Sequence, residues 1–400
     1  MPPPALELAD IFRQFGPAYR QAHALPLPQH RLMQAIETCR TPALGEAVEW
    51  CDRCQYTHTR YRSCRGTLWV RHCPKCQGLA RAKWLEQRKA ELLPVDYFHV
   101  VFTIPESVAA IAFYNKDAVY DILFRATAET LLTIARDPQH LGVALGFFAV
   151  LHSWGQNLHF HPHLHCVIPG GGLSVDRKRW IAGRRRFFLP VKVLSAMFRW
   201  LFLEALEKAY TQGQLQFFGD LERLRDPSAF ARYLAPLHRS KWVVYAKAPF
   251  GGPQRVLQYL GRYTHRVAIS NSRLLKLEQG QVSFAWKDYR AKDPAQQHKA
   301  TTVSAEEFIR RFLQHALPPG FQRIRYYGFL ANCHRAEMLA LCRRLSAIPH
   351  SDLLPRPADF PVMDAAPTNV TRRLCPQCGI GILVRFLVPP PWRNPVPDTS

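Results

Sequence analysis

The chain predicts an α+β fold, a sheet domain preceded by a small zinc ribbon. Short apolar strand patterns alternate with helical ones from about residue 95 to 330, and two Cys-x-x-Cys pairs lie upstream of them. A length of 400 residues with 48% apolar and 21% charged residues is ordinary globular usage, enough for two to four folding units. Residues 1–92 are expected to hold an N-terminal segment and the zinc module, 93–330 the sheet domain, and 331–400 a C-terminal helix and tail.

The elements follow from local pattern. A short amphipathic run, Leu6–Phe12, sits between Pro-rich edges, and residues 31–39 and 78–93 read as helices entering and leaving the cysteine segment. Asp96–Ile104 is a β-rich run closed by Pro105. Asp117–Arg136 carries a long helical pattern, and Leu141–His152 and His161–Ile168 are strand candidates, the latter ended by Gly170-Gly171-Gly172. A helix is expected at Val191–Tyr210, a strand at Lys241–Lys247, a helix near Pro253–Tyr263 and a strand at Val267–Ser270. Arg273–Glu278 and Val282–Asp288 flank Glu-Gln-Gly-Gln as a hairpin. Ala305–Ala316 and Arg335–Leu345 read as the last helices, and the Pro-rich tail from Val388 reads as disordered.

Eleven cysteines, an odd number, argue against a closed disulfide framework. Cys-x-x-Cys occurs at Cys51/Cys54, Cys73/Cys76 and Cys375/Cys378, against roughly 0.3 pairs expected by chance. The spacing predicts that Cys51, Cys54, Cys73 and Cys76 hold one structural Zn²⁺ tetrahedrally. Cys64 and His72 lie between the pairs, so a second ion or another ligand set stays open. The third pair looks like half a knuckle, which Cys333 and Cys342 could complete only through a long return.

Fifty-three Lys and Arg against 30 Asp and Glu give a net charge of +23, which points to a polyanionic partner, above all nucleic acid. Ten basic and three acidic residues fall between Cys51 and Glu91, with Arg71 and Lys75 among the expected phosphate contacts. No apolar stretch is long enough to span a bilayer and the opening residues lack a secretory pattern, so a cytoplasmic protein with no membrane partner is expected.

Two constellations point to chemistry. His159, His161, His163 and His165 alternate strictly, an arrangement expected at only about 0.001 by chance. On a strand these rings project from one face, where neighbouring imidazoles can share a divalent ion and leave coordination positions open. Tyr259 and Tyr263 are four apart on an expected helix, so their hydroxyls share a face. Around them Arg255, Arg262 and Arg266 belong to a stretch with no acidic residue, suited to a DNA strand. Together these features suggest phosphoryl transfer to tyrosine.

Pro162-His163-Leu164-His165 with the following glycines resembles the HUH motif (His, hydrophobic, His) of single-strand nucleases. The run from Tyr259 to Leu274, YLGRYTHRVAISNSRL, resembles the two-tyrosine motif of rolling-circle transposases of the insertion sequence ninety-one family. The segments CDRC and RHCPKCQGLARAKWL are similar to that family's zinc-binding domain, and GFLANCHRAEML also fits. The chain departs from the family pattern in an insertion at Gly66–Trp69 and in Gly45-Glu46-Ala47, where the family carries Gly-Gly-His. The resemblance implies a ferredoxin-like HUH core with an antiparallel central sheet, and Mg²⁺ or Mn²⁺ at the histidines. It also implies Tyr259 and Tyr263 as nucleophiles, His163 and His165 as metal ligands, and single-stranded element ends as the DNA partner. His161 shares the face of that pair and is one candidate for a third ligand; Gln156 is another. A plasmid relaxase or replication initiator would share the chemistry, whereas a zinc-ribbon DNA-binding protein would lack it. A carboxylate-triad transposase is disfavoured by the scarcity of acids in these segments.

Overall fold

The computed structural model describes residues 6–64, 72–184, 188–250, 267–288, 291, 293–346 and 373–390. The helix expected near Pro253–Tyr263 and the tail beyond residue 390 lie outside the described residues. Helices α1 (Leu8–Ala22) and α2 (Leu27–Thr38) lead to strands β1 (Glu46–Cys51) and β2 (Thr57–Tyr61) and helix α3 (Pro74–Lys89). Strand β3 (Tyr97–Thr103) is followed by α4 (Glu106–Tyr114), α5 (Lys116–Arg136), β4 (Gly146–Trp154) and β5 (Phe160–Pro169). A small hairpin, β6 (Gly171–Leu173) and β7 (Trp180–Ala182), precedes α6 (Val191–Thr211), α7 (Pro227–Arg239) and β8 (Val244–Phe250). The last elements are β9 (Leu274–Glu278), β10 (Gln281–Lys287), β11 (His298–Ser304), α8 (Ala305–Leu313), β12 (Ile324–Gly328), α9 (Arg335–Leu345) and β13 (Leu383–Val388).

Strands β8, β3, β5 and β4 lie in that spatial order, all antiparallel, with β12 added beside β4. Numbered along the chain, these four strands run 4-1-3-2 with helices after the first and third, the split βαβ arrangement of a ferredoxin-like core. The expected ferredoxin-like sheet is therefore present. Alternation assigns its two faces. Phe98, Val100 and Phe102 of β3 and Leu164, Cys166 and Ile168 of β5 pack with Leu123, Phe124, Phe198 and Phe202 in the main core, beneath α4–α7. On the opposite face a smaller core of Tyr97, Phe148, Val150 and Val167 is covered by Trp84 and Leu85 of α3. The histidines of β5 fall on this second face.

A separate core joins α1, α2, the β9–β10–β11 sheet and α8, with Phe12, Met33, Phe284 and Phe308 fully buried in it. Local signals account for its edges. Ser304 caps α8 by accepting a bond from the Glu307 amide at 3.2 Å. Gln279 and Gly280 adopt φ of 48° and 73°, the pair of left-handed residues a two-residue hairpin loop needs. Val267–Ser270, expected as a strand, is irregular; Ala268 and Ile269 are apolar because they plug this core, not because they join a ladder. At Gly171 and Gly172 an added Cβ would meet the Ile181 and Ala144 carbonyl oxygens at 2.5 and 2.6 Å, so these glycines serve close backbone approach.

Among the described residues, N-terminal and C-terminal segments share one sheet. Strand β13 returns to pair antiparallel with β1, from Cys51 opposite Leu383 to Glu46 opposite Val388, and β2 pairs with the other edge of β1. Residues 383–388, within the expected C-terminal segment 331–400, thus complete the N-terminal sheet. No helix among the described residues is long and apolar enough to cross a membrane.

Candidate metal centre and zinc-binding module

Strand pairing builds the first centre. His163 on the middle strand β5 lies opposite His152 on β4, and His165 lies two residues further along the same face. One ring nitrogen from each of His152, His163 and His165 falls within 4.8 Å of the others. His163 Nδ1 is 2.7 Å from the His161 carbonyl oxygen, which accepts its proton and leaves Nε2 with a lone pair. His165 Nδ1 is 2.8 Å from His99 Nε2, on the neighbouring strand β3. The Nε2 atoms of His163 and His165 lie 3.1 Å apart, and in the tautomer with Nδ1 of His165 donating to His99 both can turn a lone pair to one ion. A shared cation stabilises such a pair: two ligands at right angles, each about 2.1–2.2 Å from one ion, lie about 3.0–3.1 Å apart. Burial lowers the His163 pKa to about 4, with the His161 ring adding to the effect, so this imidazole is neutral and ready to ligate at neutral pH.

Of the two residues expected as a third ligand, neither lies in the group of converging nitrogens. His161 shares the strand face, but it lies at the exposed start of β5 and contributes its carbonyl rather than its ring. His152 takes the place instead, because the hairpin register sets it directly across from His163. Its ring stacks on Trp154 at 4.9 Å between centroids. Gln156 lies beyond the end of β4, and its backbone carbonyl accepts a bond from the Arg273 guanidinium.

The cysteines form two sets, and neither is the expected one. Cys39, Cys64, Cys73 and Cys76 are all buried, with Sγ separations of 3.4, 3.5 and 3.6 Å among them. Cys51 and Cys54 converge instead with Cys375 and Cys378, 3.8 Å between Cys51 and Cys378 and 3.6 Å between Cys54 and Cys375. Four thiolates about 2.3 Å from a tetrahedral Zn²⁺ lie about 3.8 Å apart, so both sets have dimensions close to a zinc site. The pairs Cys51/Cys54 and Cys73/Cys76 separate because Cys51 ends β1 while Cys73 caps α3, where the helix N-terminus favours thiolates. Two isolated cysteines, Cys39 after α2 and Cys64, complete the buried set. His72 is buried beside Phe312 and belongs to neither group. Cys333 is exposed and Cys342 is packed in a separate small core, so neither completes the third pair.

Of the basic residues expected to meet DNA, Lys75 is described and forms an ion pair with Glu7 at 2.5 Å. Arg71, Arg255, Arg262, Arg266, Tyr259 and Tyr263 lie outside the described residues. Tyr245 and Lys247 are exposed on edge strand β8; Tyr245 pairs in register with Val101, which pairs in turn with His165.

A further buried imidazole gives a pH prediction. His315 bridges the cores, 3.2 Å from the Leu158 carbonyl and 3.3 Å from Ser153 Oγ, and burial lowers its pKa from 6.5 to about 3. On acidification the unfolded chain takes up this proton at about pH 6.5 while the fold resists until about pH 3. Stability is therefore unaffected above pH 6.5 and falls between 6.5 and 3, by about 2 kcal/mol for this ring at pH 5. Urea midpoints at pH 7.5 and 5.0 should show the fall, with a shallower dependence in His315→Gln.

Comparison with known proteins gives the class. Residues 11–104 match the family model described as "Transposase zinc-binding domain", and residues 146–337 match one described as "Putative transposase". The first range holds the buried cysteine set and the second holds the three histidines. The fold and these matches define a transposase with an N-terminal zinc-binding domain. A protein of Sinorhizobium fredii (strain NBRC 101917 / NGR234) named "Putative transposase y4qJ" is 58% identical over 381 residues, 94% of each chain. The transposase for insertion sequence element IS801 of Pseudomonas savastanoi pv. phaseolicola is 28% identical over 295 residues, 74% of this chain and 68% of the relative. The chain belongs to the insertion sequence ninety-one (IS91) family of transposases. Among solved structures, the conjugative relaxase TrwC complexed with a 27-mer DNA aligns over 62% of this chain and 73% of that chain, at 16% identity and a TM-score of 0.23. The metal-free complex of TrwC with OriT DNA aligns over 63% and 74%, at 14% identity and the same TM-score.

Proposed function

We propose that this transposase cuts and rejoins single-stranded DNA through Tyr259 and Tyr263, assisted by a divalent ion bound to His152, His163 and His165. The observation that carries the reading is the convergence of three imidazole nitrogens on one sheet face, two of them with Nδ1 already engaged. The donor set fits a divalent ion, and three imidazoles favour Mn²⁺ over Mg²⁺ in affinity. His152, His163 and His165 would hold the ion, which would supply Lewis-acid polarisation of a phosphate oxygen and offset charge developing on the phosphodiester.

The protein's own groups do the rest. A phenol with a pKa near 10 is a weak nucleophile unless its proton is lost as it attacks. The oxygen of one tyrosine bonds to phosphorus, the bond from phosphorus to the 3′ oxygen breaks, and that oxygen leaves as a hydroxyl after taking a proton. The 5′-phosphotyrosine link keeps the phosphoester available, so a 3′ hydroxyl can later reverse the step, and the second tyrosine can hold the other strand during exchange. Exposed Tyr245 and Lys247 support a strand path along β8, since two strand spacings place Tyr245 about 10 Å from the His165 backbone. The high net positive charge supports the same partner.

The deciding experiment incubates purified protein with Mn²⁺ and an oligonucleotide carrying the element end. A covalent protein–DNA band is expected for wild type, with at least a hundredfold less for Tyr259→Phe/Tyr263→Phe. Adduct at wild-type level in the double variant would remove the tyrosines from the mechanism. Absence of any adduct in wild type would favour a binding protein without strand cleavage.

A further inference from the structure

The cluster of Cys51, Cys54, Cys375 and Cys378 lies partly outside both matched regions, since Cys375 and Cys378 follow residue 337. Its two halves are built alike. In the first, the amides of Arg53 and Cys54 point at Cys51 Sγ at 3.4 and 3.5 Å, and Gln55 after the second cysteine has φ of 60°. In the second, the Gln377 amide points at Cys375 Sγ at 3.4 Å, the Gly381 amide at Cys378 Sγ at 3.3 Å, and Gly379 has φ of 72°. Amides aimed at sulfur stabilise the thiolate over the thiol, as a metal ligand requires. A disulfide would need sulfur atoms about 2.05 Å apart, far inside the 3.6 and 3.8 Å seen here.

Among the described residues, little else holds the sheet around this cluster. Strand β2 is exposed along its whole length, and on β13 Phe386 is 53% and Leu387 64% exposed. Apolar burial therefore contributes little to docking a strand whose partner β1 lies more than 300 residues away in sequence. A buried carboxylate, Glu49, pairs with Arg60 of β2 and Arg385 of β13, tying the three strands together at one point. Bringing together two strands so far apart in sequence costs closure entropy, which a cross-link between them would offset.

We propose that Cys51, Cys54, Cys375 and Cys378 bind a second structural Zn²⁺, which clasps the C-terminal strand to the N-terminal sheet. The two knuckles give a zinc ribbon whose halves come from opposite ends of the chain, while Cys39, Cys64, Cys73 and Cys76 hold the other ion. Each thiol releases its proton on binding, and no oxidation is involved. The two ions differ in access: the first set is wholly buried, whereas Cys54 is exposed and Cys378 half-buried.

Native mass spectrometry and elemental analysis of the full-length protein test this directly. Two zinc ions per chain are expected, released by a chromogenic chelator in two phases with the clasp ion first. Cys375→Ser/Cys378→Ser and Cys51→Ser/Cys54→Ser should each bind one ion, and the quadruple variant should also bind one. Thiol titration of denatured wild type without reductant should find all eleven cysteines reduced. One zinc in wild type, two in the Cys375/Cys378 variant, or four fewer titratable thiols would each overturn the clasp. Because the count on wild type needs no variant to fold, a misfolded mutant does not shelter the proposal.

Discussion

His152→Ala should lower the rate of Mn²⁺-dependent adduct formation by at least a hundredfold while leaving the thermal midpoint within a few degrees. Losing a residue that merely orients a metal ligand already costs about 10–100-fold in affinity or activity, so removing a ligand should equal or exceed the top of that range. The ring is buried between Trp154 and the two histidines of β5, and the void left by alanine lies on the sheet face opposite the main core. His161→Ala should cost only a few-fold, since its backbone carbonyl and not its imidazole holds His163. Raising Mn²⁺ should partly rescue His152→Ala and do little for the tyrosine variants, because only the first defect is in ion affinity. Equal losses at His152 and His161 would mean that the ion sits further along the strand than the described nitrogens indicate.

That contrast shows which parts of the site a one-dimensional reading can reach. Alternation along β5 is a property of one strand, so the shared face of His161, His163 and His165 is legible in the order of residues alone. Distance to a common ion is not. It depends on the register of β4 against β5, including an irregularity between His152 and Trp154, and register lies between strands. His152 carries no local pattern that marks it. The cysteines repeat the lesson: a Cys-x-x-Cys pair announces a knuckle, but the knuckle it meets is a matter of topology. Cys51/Cys54 bypasses the nearest pair for one at the other end of the chain, and isolated Cys39 and Cys64, without a spacing motif, finish the buried set. The α+β sheet domain is legible because its strands are apolar and separated by long helices, whereas its ferredoxin-like order is reached only through the family resemblance. Strand β13, short and largely exposed, is not legible, since its existence depends on β1 and the clasp.

Removing the buried ion should have the larger effect on stability. Cys76→Ser, or exhaustive chelation, is expected to destroy protection from hydrogen exchange in α1, α2 and the first turn of α3, while β3, β4 and β5 stay protected. Structural Zn²⁺ contributes apparent binding free energies of about 10–16 kcal/mol, comparable to or above the whole stability of a typical domain. The four cysteines lie inside the same core as Phe12, Met33, Ile36 and Phe312, so releasing the ion leaves polar sulfur in an apolar interior without its organising centre. The five-stranded sheet has an independent core under α4–α7 and should survive the loss. Survival does not mean full function, because Trp154, which stacks on His152, packs in the zinc-dependent core. Cys76→Ser should therefore weaken Mn²⁺ affinity at a site it never touches, measurable by titrating adduct formation against Mn²⁺. If α1 and α2 keep wild-type protection after the metal is gone, apolar packing alone sustains the module. The proposed route from zinc through Trp154 to the histidines would then be wrong.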